Sequence, residues 1–138
     1  MSNEDMGVIA KNDNELKIYY HPDTRMAQQC IAVAETIKAE KVLINLKEVK
    51  LTETQWGEIS RLLDKDPVEL INTDHSFIKE TLSENPDMNP NQALKVLVKN
   101  PEVLRHPIVM KGDKIIEVTG INDLMQFQET DSKDAKLP

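Results

Sequence analysis

The residues best placed to do chemistry lie in Tyr19-Tyr20-His21-Pro22-Asp23-Thr24-Arg25, where an apolar stretch runs into a helical pattern. A helix start presents unpaired backbone N–H groups and the positive end of the helix dipole, so an anion placed there is stabilised. Arg25 adds a cation to the same spot, and a carboxylate or the glycyl end of glutathione is the kind of group it suits. A thiol at such a turn ionises readily for the same electrostatic reason. The turn offers only Asp23 and Thr24, however, and the single cysteine, Cys30, comes six residues after Thr24. A threonine hydroxyl gains little nucleophilicity without an adjacent base. Asp23 and Thr24 equally suit helix capping, in which the side-chain oxygen accepts an orphan N–H.

Six helical residues separate Cys30 from Thr24 by about 9 Å along the axis. Cys30 shares an apolar stripe with Met26, Ile31, Ala34 and Ile37. A cysteine buried away from cations behaves as a small hydrophobe, which makes a structural role the leading reading and a monothiol role the alternative. His21 and His75 have no cysteine or histidine at ligand spacing, so no metal site is expected. Trp56, Tyr19 and Tyr20 read as core or half-buried packing.

The elements that must hold this turn follow from periodicity. Leu16 to Tyr20 alternates like a strand, and Arg25 to Lys38 repeats apolar residues at helical spacing. Val42 to Leu46 has the length and apolarity of a buried strand. Thr52-Glu53-Thr54-Gln55 is a capping box that opens a helix ending near Asp64. Short helices are predicted over Pro67 to Ile71 and His75 to Leu82. Asn89-Pro90 starts another, which stops before Asn100-Pro101. Pro107 to Met110 and Lys114 to Val118 form a hairpin about Lys111-Gly112-Asp113, and a last helix runs from Ile121 through Phe127. The order β-α-β-(helices)-β-β-α is an α/β, thioredoxin-like mixed sheet with a helical insertion. Residues 1–138 read as a single domain, with 1–14 an N-terminal extension, Val8-Ile9-Ala10 a possible short strand, and 129–138 a flexible tail.

Composition restricts the function classes. The chain of 138 residues has a net charge of −7, which disfavours a nucleic-acid surface. One cysteine cannot make an internal disulfide, which suits a reducing compartment. The first 14 residues lack a basic-then-apolar leader pattern, and no apolar run approaches the ~20 residues that span a bilayer. A cytoplasmic protein without membrane contact is the resulting expectation.

Leu16 to Phe127 resembles the family that holds glutaredoxin-dependent arsenate reductase and the transcriptional regulator Spx. The most specific likeness is the helix followed by Asn100-Pro101-Glu102-Val103-Leu104-Arg105-His106-Pro107-Ile108-Val109; Leu70-Ile71-Asn72-Thr73 and the Leu51-Thr52 helix start also agree. The resemblance implies a cis peptide at Pro107, with His106 close to the first helix's N-terminus. It also exposes departures. The reductase cysteine falls at Thr24, or at Asp23 after a one-residue slip, and the Cys-x-x-Cys of Spx-type members is absent. Of three oxyanion-holding arginines, one falls at His106, with Arg105 displaced by a residue. The others fall near Ile71 or Asn72 and near Glu117, none of them basic.

The expectation is therefore an arsenate-reductase-like protein that has lost its thiol chemistry and serves as a binding or regulatory module. Its candidate ligand-binding residues are Asp23, Thr24, Arg25, Arg105, His106 and Pro107, taking a small anion or a protein partner, with no resident cofactor. The alternatives are a glutaredoxin- or glutathione-linked monothiol reductase using Cys30 and an Spx-like regulator that contacts RNA polymerase.

Overall fold

The computed structural model describes residues 14–84 and 87–127. Val8-Ile9-Ala10 and the 129–138 tail lie outside the described residues. The strands and α-helices follow in the order β1 (Glu15–Tyr20), α1 (Arg25–Ala34), β2 (Glu40–Asn45), α2 (Glu53–Leu63), α3 (Ser76–Glu84), α4 (Pro90–Lys99), β3 (Ile108–Lys111) and β4 (Lys114–Glu117). Single 3₁₀ turns occupy Pro67–Leu70, Pro101–Val103 and Ile121–Leu124. The described residues cluster into two compact units, one of residues 14–45 with 106–127 and the other of residues 46–105.

The first unit holds the sheet, ordered β2-β1-β3-β4. β1 pairs parallel with β2 and antiparallel with β3, and β3 pairs antiparallel with β4. Leu16 and Ile18 of β1 project into one core with Cys30 and Ala34 of α1, Val109 of β3, and Leu124 and Phe127 beyond the hairpin. Gly112 has φ 60° and its neighbour Asp113 does not share the positive φ, so the two-residue β3–β4 loop is a type II′ turn. Glycine takes that conformation without a Cβ clash.

Two strand and helix expectations need correction. α1 ends at Ala34 rather than Lys38, because the N–H groups of Thr36 and Ile37 turn to the carbonyls of Val33 and Ala34, three residues back. The Thr36 hydroxyl reinforces this tightening by donating to Val33 O at 2.6 Å. β2 lies at an edge of the sheet, and Leu43 is 43% exposed, so apolarity alone misjudged its burial.

The helical unit is built on caps that were legible beforehand. Thr52 Oγ1 accepts from Gln55 N at 3.1 Å while Gln55 Oε1 accepts from Thr52 N at 2.9 Å. Asn89 and Gln92 repeat the arrangement at the start of α4, with Pro90 at the first helical position. α2 ends on Asp64 at φ 59°, a left-handed cap. α4 packs on α2 and on the 3₁₀ turns at 67–70 and 101–103. Trp56, Ile59, Leu70, Ala93, Leu97 and Val103 are all buried. Leu70 to Asn72 and Val103 to Arg105 run alongside each other through Asn72 N–Val103 O and Arg105 N–Leu70 O bonds, both 2.8 Å.

Candidate functional site

The end of β1 and the start of β3 meet at one end of the sheet, because Tyr19 pairs with Ile108. Ligands of open α/β sheets bind beyond the carboxyl ends of the parallel strands, the end where β1 and β2 both finish. Two short segments follow from this pairing: His21 to Thr24, leaving β1, and His106-Pro107, entering β3.

The first segment is held by His21, a buried residue that sequence reading treated as isolated. Its Nδ1 accepts the Asp23 N–H at 3.3 Å, and its carbonyl accepts both the Thr24 N–H at 3.2 Å and the Thr24 hydroxyl at 3.0 Å. An accepting Nδ1 puts the proton of a neutral ring on Nε2. The Asp23 carboxylate lies 3.8 Å from the Nδ1 nitrogen. Thr24 occupies the N-cap position with extended φ −99° and ψ 144°, yet makes no side-chain cap bond. This corrects the expectation that it caps by accepting an N–H. The hydroxyl finds a nearer acceptor in the His21 carbonyl and donates instead. Arg25 is the first residue of α1.

Cys30 is fully buried in the core of the sheet unit, and burial pushes its thiol up to about 11. At neutral pH it is a protonated, inaccessible thiol, the reverse of what an attacking cysteine needs. Tyr19, also buried, is pushed up to about 12 for the same reason.

Pro107 is trans, since no described peptide bond is cis. This corrects the implied cis form. Trans is favoured for X–Pro bonds by about 0.5–1 kcal/mol, and here Pro107 also enters the sheet through its carbonyl, which accepts Val118 N–H at 2.8 Å. Arg105 is exposed and belongs to the helical unit, where its backbone N–H is engaged by Leu70.

His106 acquires neighbours that sequence reading did not foresee. Its Nδ1 lies 3.6 Å from Glu117 Oε2, and the Glu117 side chain is only 5% exposed. Asp123 follows the hairpin, in the 3₁₀ turn at Ile121–Leu124. Its carboxylate accepts from Thr119 N at 2.8 Å, Thr119 Oγ1 at 3.1 Å and Gly120 N at 3.1 Å. The Thr119 N–H chiefly holds the Asp123 carboxyl below the usual carboxylate range, with Gly120 and His106 adding to it against the opposing effect of desolvation. The hairpin register carries a usable signal: Ile108 faces Glu117, and residues 106 and 108 share a face.

Among the described residues no cluster of histidine, cysteine and acidic side chains could hold a metal ion, and no helix is long and apolar enough to cross a membrane.

A four-stranded mixed sheet of this order, entered through a strand–turn–helix and interrupted by helices, is a thioredoxin-like fold. The family model of the ArsC family matches residues 23–133, and the chain belongs to that family. Among solved structures it is similar to an arsenate reductase from Vibrio cholerae (TM-score 0.73, 14% identity, 84% of this chain and 99% of that one). A putative arsenate reductase from Yersinia pestis is comparable (TM-score 0.72, 18% identity, 80% and 98%). At such identities the likeness concerns the fold alone. In sequence it is 39% identical over 61 residues to the global transcriptional regulator Spx 2 of Lactococcus lactis subsp. lactis (strain IL1403). The match covers 42% of this chain and 46% of that protein, so the chain spans about half the length of this relative.

Proposed function

We propose that this ArsC-family chain performs no thiol redox chemistry and works as a binding or regulatory module. The carrying observation is Cys30, fully buried with its thiol raised to about 11, in a chain whose turn places a hydroxyl, already donated to a carbonyl, where the reductase thiol falls. Purified protein assayed with glutathione and glutaredoxin is expected to reduce no arsenate. Its thiol is expected to react with Ellman's reagent only after denaturation. Arsenate turnover abolished by Cys30→Ser would overturn the reading in favour of a monothiol reductase.

The match to Spx favours one form of regulatory role, contact with the transcription machinery. Pull-down of purified RNA polymerase by the tagged chain tests this form, and no retention above an unrelated acidic control would remove it.

A further inference from the structure

The helical unit carries a second feature that neither the reductase nor the Spx resemblance uses. α4 has two working faces. Ala93 and Leu97 are buried, whereas Gln92, Lys95, Val96 and Lys99 line an open groove that Phe77 of α3 and Met88 complete. The groove has a volume of about 280 Å³. Phe77 is 37% exposed, one of few large hydrophobic side chains left so open among the described residues. Its apolar floor is Phe77, Met88 and Val96.

The rim is charged in a particular way. In a chain of net charge −7, Lys95 and Lys99 stand one helical turn apart on the same side of the groove. Lys95 lies 3.4 Å from the Glu53 carboxylate, but both side chains are largely solvated, and such pairs contribute little, about 0–1 kcal/mol. The ammonium can therefore be shared with another acid. From Gln92 to Lys99 the groove runs about 10.5 Å along α4 at 1.5 Å per residue, the span between the i and i+7 anchors of a docked helix.

We propose that the α3–α4 groove docks an amphipathic, acidic helix of a partner protein. Apolar residues at i, i+4 and i+7 lie over Phe77, Met88 and Val96, and carboxylates one turn apart meet Lys95 and Lys99. The floor supplies buried area, and the lysines fix the sign and direction of the incoming helix. This inference deepens the binding-module reading and rests on it for the premise that the chain acts by binding.

The test is a two-dimensional amide NMR titration of the full chain. The probe is a short synthetic helical peptide with leucines at i, i+4 and i+7 and flanking glutamates. Shifts centred on Phe77, Thr81, Val96 and Lys99 that weaken with added salt are expected. Lys99→Glu and Phe77→Ser, each with an unchanged circular dichroism spectrum, are each expected to weaken binding about tenfold. Should either variant unfold, Lys99→Gln, with a smaller loss, takes its place. The proposal is overturned if the peptide leaves these amides unmoved or if a lysine-for-glutamate peptide binds equally. It is also overturned if decanoate alone fills the groove, or if dilution of the chain moves the same resonances and so assigns the face to a second copy. An unoccupied groove beside an inert Cys30 refutes the docking site and spares the binding-module reading. Arsenate turnover through Cys30 refutes that reading whatever the groove does.

Discussion

His106 Nδ1 and Glu117 Oε2 stand 3.6 Å apart at the edge of the sheet unit, with the carboxylate almost wholly buried. By the family resemblance, the reductase pattern has arginines at or near these two positions, and this chain has a histidine and a carboxylate there.

Removing that carboxylate should favour anion binding at this end of the sheet. Glu117→Gln is expected to raise affinity for arsenate or sulfate about tenfold over the unmodified chain, because a like charge within several ångströms is worth more than a kcal/mol at the edge of a protein. Chemical-shift titration of the His106 and Thr24 amides reads the effect. An unchanged or weaker titration would mean that Glu117 does not set the selectivity of this end of the sheet.

Thr24→Cys should give a thiol that reacts with iodoacetamide much faster than Cys30, since the helix start favours the thiolate and the core does not. It is still expected to reduce no arsenate, because His106 and Glu117 stand where the resemblance puts arginines. Mass spectrometry after a brief alkylation pulse distinguishes the two cysteines. Equal labelling of both would contradict the burial of Cys30.

Alkaline stability carries a signature of Cys30. Its folded thiol titrates at about 11, above an unfolded value near 9, so its contribution is complete below pH ~9 and is lost as the pH rises toward 11. The loss is on the order of 2 kcal/mol for a group this buried. Cys30→Ala costs about 1–2 kcal/mol at neutral pH by leaving a small cavity, and its urea midpoint should fall less steeply between pH 9 and 11. Parallel curves for the two proteins would refute the assignment.

Asp123 acts at the other end of the scale. Its folded carboxyl is lowered, so its contribution is complete above the unfolded value of about 3.9 and fades as the pH falls through the lower folded one. Asp123→Asn should cost about 1 kcal/mol at pH 7, with the difference from the parent shrinking in acid. Thermal melts from pH 2 to 7 measure it, and a gap that widens in acid would reverse the sign argued here.

One substitution should stabilise. Gly57 sits in the interior of α2, and a Cβ there would meet Leu94 Cδ1 at 4.0 Å, an ordinary contact. Gly57→Ala is therefore expected to gain about 0.5–1 kcal/mol from helix propensity. A melting temperature unchanged or lowered would show that α2 and α4 leave less room than the Leu94 distance indicates.

Much of the fold was legible in the residues themselves. The boxes at Thr52–Gln55 and Asn89–Gln92 and the punctuation at Pro90 and Gly112 are local, so each could be read within a few residues. The fate of the one cysteine was equally legible: Cys30 lies on an apolar stripe, and that stripe is core. The misreadings were of another kind. Thr24 turned its hydroxyl to a carbonyl, Pro107 entered β3 in trans, and Leu43 came to rest on an edge strand. Each outcome was decided by competing partners or by strand order.

The sequence by itself determined where helices start, which stripe becomes core, and that no thiol stands at the strand–helix turn, because these depend on near neighbours and on residue type. Only the tertiary structure decided what the turn had become. His21 organises it from within, and the hairpin brings the Glu117 carboxylate to 3.6 Å from His106 across eleven residues of sequence. Electrostatics of that kind depends on distance in space and on burial, and neither is written in the order of the residues.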